Sequence, residues 1–153
     1  MRVLGIRVEP KKSTFIVIER DIDDNYTLIN EEVIKVPIAL SFPEQLKYIR
    51  NTVIDILREY EITFAGIKLT ESIASADLNR VQFEGVIQEA FSSSEVKDYF
   101  SGRKLSIMKR LGISKTNYDS ILNGEQEYPI INWHRLTNKN LREAALVAIG
   151  AIQ

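Results

Sequence analysis

Residues 2–8 read Arg-Val-Leu-Gly-Ile-Arg-Val, apolar on alternate and intervening positions, as a strand buried on both faces would be. Residues 13–19, Ser-Thr-Phe-Ile-Val-Ile-Glu, are β-branched and aromatic, which suits a pleated, half-buried surface. Glu9-Pro10-Lys11-Lys12 between them is a turn, so the two segments predict a hairpin. A third strand is expected at 32–37, after the polar turn at 21–25, and the chain opens as a β-meander.

The period changes at Ser41. This serine suits an N-cap and Pro43 suits a first helical turn, while Leu46, Ile49, Val53, Ile56, Leu57 and Tyr60 recur at helical spacing. A short strand at 63–69 follows this long amphipathic helix, and a crossover of that length predicts parallel pairing back to the first strand. Asp77 caps a second helix running to residue 91, with Leu78, Val81, Val86, Ile87 and Ala90 expected inward. Beyond Ser92 the pattern predicts a strand at 96–100, short helices at 104–111 and 115–122, and a last helix at 141–152. Its Ala144, Ala145, Ala148, Gly150 and Ala151 suit close packing on a sheet. The reading is one α/β domain over 1–153, a mixed sheet of about five strands with helices on both faces and a helical insertion at 101–124.

Composition narrows the function classes. At 153 residues, 44% hydrophobic and 27% charged, the chain has the make-up of a globular domain able to bury a core. It has no cysteine, which removes disulfides, thiolate metal sites and cysteine nucleophiles, and a cytoplasmic location is expected. No apolar run approaches membrane-spanning length, and Arg2 and Arg7 break the start, unlike a signal peptide. Net charge is −1 but uneven. Residues 1–100 hold 12 Lys/Arg against 17 Asp/Glu, whereas 101–153 hold 8 against 4, so the basic C-terminal third is the candidate face for phosphate or an acidic partner.

The order βββαβα, a less regular stretch and a terminal Ala-rich helix resembles the RNase H-like superfamily. Met1-Arg-Val-Leu-Gly-Ile-Arg7 is similar to the opening of RuvC-type resolvases, where a hydrophobic strand runs into Gly-Ile-Asp. Phe64-Ala-Gly-Ile-Lys68 resembles the fourth strand, which in that family ends in a catalytic Glu. Asn140-Leu-Arg-Glu-Ala-Ala-Leu-Val-Ala-Ile149 resembles the final helix, where an acidic residue precedes an Ala-Leu-Ala run. The resemblance implies a nuclease whose carboxylates bind two Mg²⁺ ions that clamp the attacking and leaving oxygens. Here the matching positions are Arg7, Lys68 and Ala144, and two of the three carry the wrong sign for a metal. A displaced acidic set of Glu9, Glu71 and Glu143 is the alternative, and only that set implies Mg²⁺; otherwise no cofactor is expected.

The stretch 108–124 resembles a helix-turn-helix, with Leu-Gly-Ile-Ser as the turn and Ser114 capping a helix that bears Lys115, Asn117 and Tyr118. His134, the single histidine, lies between Trp133 and Arg135 and lacks the companions of a metal or triad site. Gly5, Gly66 and Gly85 form no phosphate-loop fingerprint. The leading expectation is a catalytically silent RuvC-like domain that binds nucleic acid, through Arg103, Lys104, Lys109, Arg110 and Lys115, or a partner protein. The alternatives are a Mg²⁺-dependent nuclease with the displaced set and a helix-turn-helix regulator.

Overall fold

In the computed structural model, which describes residues 1–72 and 75–153, the meander is present and extends further than its pattern suggests. Strands β1 (Arg2–Val8), β2 (Lys12–Arg20) and β3 (Tyr26–Lys35) are joined antiparallel. Helix α1 (Phe42–Glu59) then leads into β4 (Phe64–Lys68), which lies parallel to β1. After α2 (Leu78–Ser92), β5 (Asp98–Gly102) adds in parallel to β4. Helices α3 (Lys104–Leu111) and α4 (Lys115–Leu122), a two-residue strand β6 (Ile130–Ile131), a 3-10 turn at Trp133–Arg135 and α5 (Lys139–Gly150) complete the chain. The sheet order is β5-β4-β1-β2-β3-β6.

Two hydrophobic layers enclose the sheet. Leu4, Ile6, Val8, Phe15 and Val17 meet α1 and α2 on one face, and Val3, Ile16, Ile18 and Leu28 meet α5, α3 and α4 on the other. Tyr118 and Ile121 of α4 and Ile107 of α3 belong to that second layer, so the 101–124 segment is part of the core. The seat of α5 is cut by two glycines. Gly5 and Gly66 are register partners on β1 and β4; a Cβ on Gly5 would lie 2.0 Å from the Ala144 carbonyl oxygen, and one on Gly66 2.5 Å from that of Val147. The helix backbone therefore rests directly on the sheet, and Ala144 through Ile149 are fully buried.

Three expectations need correction. β3 starts at Tyr26, six residues before the expected 32, because β2 pairs with it from Arg20 to Lys12. Only Leu28 and Ile34 of β3 are buried, since β6 covers its outer edge at Tyr26 and Thr27 alone, and the polar positions between them hid the strand. β5 is shifted two residues on from 96–100, to the register set by Phe64↔Asp98 and Lys68↔Gly102. On α2, Leu78 is 70% exposed instead of inward, and Phe83, Glu84 and Phe91 are the buried side chains beside Ile87 and Ala90. Phe83 meets Phe42 of α1 at 5.5 Å between ring centroids, which sets the inward face of α2. No described helix is long and apolar enough to cross a membrane.

Candidate functional site: a cleft at the ends of the central strands

β1 and β4 run parallel, so their carboxyl ends open at the same edge of the sheet, the usual place for a ligand crevice in open α/β sheets. Arg7 and Lys68 stand there as register partners. Around them a cleft of about 490 Å³ is lined by the connection after β4, the start of α2, and side chains of α3, α4 and α5, including Glu71, Arg80, Lys104, Tyr118 and Glu143.

Glu143 reaches the cleft from α5 because the glycine seat brings that helix onto β1. Arg7 Nε donates to Glu143 Oε1 at 2.8 Å, and the Tyr118 hydroxyl donates to Glu143 Oε2 at 3.0 Å. Burial first, and the adjoining Glu143 charge second, push the Tyr118 hydroxyl pKa far above its ordinary value. The Lys104 ammonium lies 5.3 Å from the Tyr118 ring centroid and 2.6 Å from Asp119 Oδ1, and that contact holds the Asp119 carboxyl below the usual carboxylate range.

Lys68 is 3% exposed. Its ammonium donates to the Leu69 carbonyl at 2.7 Å and meets Glu71 Oε1 at 2.8 Å. Burial works against the charge on Glu71, but the hydrogen bonds from Lys68 and from the Lys104 backbone N–H, with the charges of Lys68 and Arg103, outweigh it. The Glu71 carboxyl is held below its ordinary value. Beneath the cleft, buried Glu84 accepts from the Thr70 N–H at 2.8 Å and the Thr70 hydroxyl at 2.6 Å. Arg103 Nε donates to the Thr70 carbonyl at 3.0 Å, and Arg80 Nε lies 3.2 Å from Glu84 without hydrogen-bond alignment.

Of the residues singled out in the sequence, Arg7, Lys68, Glu71 and Glu143 gather in the cleft. Ala144 is fully buried on the sheet-facing side of α5, and Glu9 sits at the hairpin turn, 3.9 Å from Lys12. Glu71 and Glu143 are each bonded to a cation, the third cleft carboxylate, Asp77, accepts from the Arg80 backbone N–H at 3.0 Å, and among the described residues no group of three or more His, Cys, Asp or Glu is placed to hold a metal ion. This donor set does not suit a divalent cation, which would meet a guanidinium and an ammonium at the strand ends.

The basic residues divide. Lys104 lines the cleft and Arg103 braces it from behind. Lys109 and Lys115 are exposed. Arg110 is anchored to the fold: Nη1 donates to the Gly150 carbonyl at 2.9 Å, and the guanidinium lies 4.0 Å over the Phe100 ring. Ser114 caps α4 through the Asn117 N–H at 3.1 Å, and Gly112 adopts φ 65° in the turn, as the helix-turn-helix reading expects. Tyr118, placed by that reading on a reading face, is instead fully buried. His134 is exposed, Trp133 is core, and Arg135 is bonded to Glu31 at 2.5 and 3.0 Å. The sequence reading missed Tyr118 as a cleft residue and the Thr70–Glu84–Arg80 brace. The four-residue spacing of Arg80 and Glu84 was a usable signal, whereas nothing local marks Thr70.

No protein-family model matches the chain, and no curated protein sequence matches it. Among solved structures, the chain is similar to Thermus thermophilus RuvC, with a TM-score of 0.71 at 16% identity over 98% of this chain and 92% of that one. The same protein in complex with a Holliday junction substrate gives 0.71 at 15% over the same shares. The yeast mitochondrial Holliday junction resolvase gives 0.63 at 11% identity over 98% of this chain and 78% of that one. At such identities the likeness speaks of architecture: the chain has the RuvC-type RNase H-like fold, with Arg7 and Lys68 at the carboxyl ends of its two central parallel strands.

Proposed function

We propose that the chain is a catalytically silent RuvC-like domain that binds nucleic acid through phosphate groups, at the strand-end cleft and the adjoining surface of α3 and α4. One observation carries the reading: Arg7 and Lys68 stand side by side at the cleft, each bonded to the carboxylate nearest it. Two-metal hydrolysis needs unneutralised carboxylates converging on the ions, and here Glu71 and Glu143 are committed to ion pairs. Cations at the same place suit phosphate oxygens. A structural relative has been solved with a Holliday junction, which makes branched DNA the first ligand to try.

Fluorescence anisotropy on four-way junction, duplex and single-stranded DNA, over a salt series, is the direct test, run beside a cleavage assay with Mg²⁺ or Mn²⁺. Salt-sensitive binding without cleavage is expected. Metal-dependent cleavage that disappears in Glu143→Gln would overturn the reading and restore the displaced acidic set. Absence of binding at low salt to all three DNAs would also overturn it and leave a partner protein as the ligand.

A further inference from the structure

The two ion-paired carboxylates of the cleft are attached very differently. Glu143 stands on α5 with its side chain 12% exposed and is held twice, by Arg7 and by Tyr118. Glu71 stands in the connection after β4 with its side chain 54% exposed. Both groups that hold Glu71, Lys68 Nζ and the Lys104 backbone N–H, meet the same oxygen, Oε1, at 2.8 Å.

Lys68 is the reverse of Glu71, a buried cation on a central strand. Burying an ammonium without an anion is costly, so Lys68 requires a negative partner, and the one it has is the more exposed of the two ion-paired carboxylates. The Lys104 N–H belongs to the amino end of α3, where backbone donors are left unpaired by the helix and negative charge is favoured. The Arg103 guanidinium, bonded to the Thr70 carbonyl, adds positive charge to the surroundings. A buried ammonium and a helix-terminal N–H thus meet one oxyanion, an arrangement suited to phosphate as well as to a carboxylate.

We propose that Glu71 is a tethered substitute for a phosphate: Lys68 and the Lys104 N–H form an oxyanion site, which the Glu71 carboxylate fills and from which a nucleic-acid phosphate displaces it. The inference rests on the nucleic-acid reading above and names the group taken at that site. The exchange keeps Lys68 paired throughout, because one anion replaces another. Competition from Glu71 lowers the affinity of the cleft for any free phosphate, so a phosphate enters when contacts elsewhere already hold the ligand.

The test is thermal unfolding of the whole chain in chloride and in inorganic phosphate at matched ionic strength. Glu71→Ala leaves Lys68 without its carboxylate, so its Tm should fall in chloride. Phosphate should restore it by about 4 °C or more while raising the wild type far less. The response should vanish in the double variant Lys68→Ala/Glu71→Ala. Should Glu71→Ala not fold in chloride, Glu71→Gln, which keeps an oxygen in place without the charge, should respond to phosphate more than the wild type does. Anisotropy then assigns the source: tighter binding by Glu71→Ala, by roughly tenfold, of 5′-hydroxyl and 5′-phosphate oligonucleotides alike marks a backbone diester, and of the 5′-phosphate form alone a terminal phosphate. Phosphate responses equal in wild type and Glu71→Ala, with unchanged DNA affinity, would overturn the inference while leaving the binding function standing. A phosphate response without DNA binding by either protein would overturn the function and keep the anion site.

Discussion

Tyr118 shows how much one residue changes by being inside. On the α4 surface it would be a candidate reader of bases; buried, its hydroxyl is a fixed donor that orients Glu143 toward Arg7. Tyr118→Phe removes the donor and leaves Glu143 Oε2 short of a partner, so we expect a loss of about 1–2 kcal/mol in denaturant unfolding with no change in secondary structure. The pH dependence has a definite sign. The folded pKa lies above the unfolded value of 10.0, so the native state keeps a proton that the unfolded chain gives up. The contribution is complete below about pH 10 and shrinks as pH rises beyond it. Wild type should therefore lose stability above pH 10 more steeply than Tyr118→Phe, in unfolding curves recorded across that range.

Elements are placed by what they lack as much as by what they carry. α5 sits on β1 and β4 because Gly5 and Gly66 give it a groove of bare backbone, and that depth carries Glu143 into reach of Arg7. Gly5→Ala would press a methyl against the Ala144 carbonyl, backbone against backbone, and should cost about 3 kcal/mol or more. Gly85→Ala is the contrast. Nothing lies within 4 Å of its added Cβ, it is exposed on α2, and the same change should stabilise by about 0.5–1 kcal/mol. Equal effects at the two positions in chemical denaturation would contradict the seating of α5. Helix boundaries at α3 and α4 were legible in the sequence to the residue, because Gly112, Ser114 and Asn123-Gly124 punctuate them. β3 was legible only at its end: an outer strand with two buried residues has little apolar alternation to show.

Across the whole molecule, charge divides into a fraction tied down and a fraction free to meet a ligand. The surplus of positive charge in residues 101–153 marks a face, yet Arg110 and Arg135 are committed to internal partners while Lys109 and Lys115 are exposed. Each phosphate neutralised releases condensed counterions. The double variant Lys109→Ala/Lys115→Ala should therefore weaken binding to all sequences alike and flatten the log–log salt slope by about two units, as read by anisotropy. Arg110→Ala should act chiefly on stability, costing about 1 kcal/mol through the lost carbonyl bond and cation–π contact. Asn117→Ala should alter sequence preference only if the start of α4 reads base edges.

Local chemistry determined the element order, most helix ends, the parallel return of β4 and the resemblance to RuvC-type proteins, because periodicity, caps and glycine placement act within a few residues of sequence. It also marked Arg7 and Lys68 as cations where that resemblance puts carboxylates. Which carboxylate answers which cation was decided by tertiary structure. Arg7 and Glu143 are 136 residues apart in sequence and meet because two glycines admit α5 to the sheet, whereas Glu71 and Lys68 meet across one short turn whose partner donor, the Lys104 N–H, comes from a helix 33 residues beyond Glu71. Glu9, equally acidic and two residues from Arg7, stays at the hairpin turn, because the register of β1 and β2 ends before it. Ion pairing depends on distances of a few ångströms between elements, and those distances follow from how backbones pack.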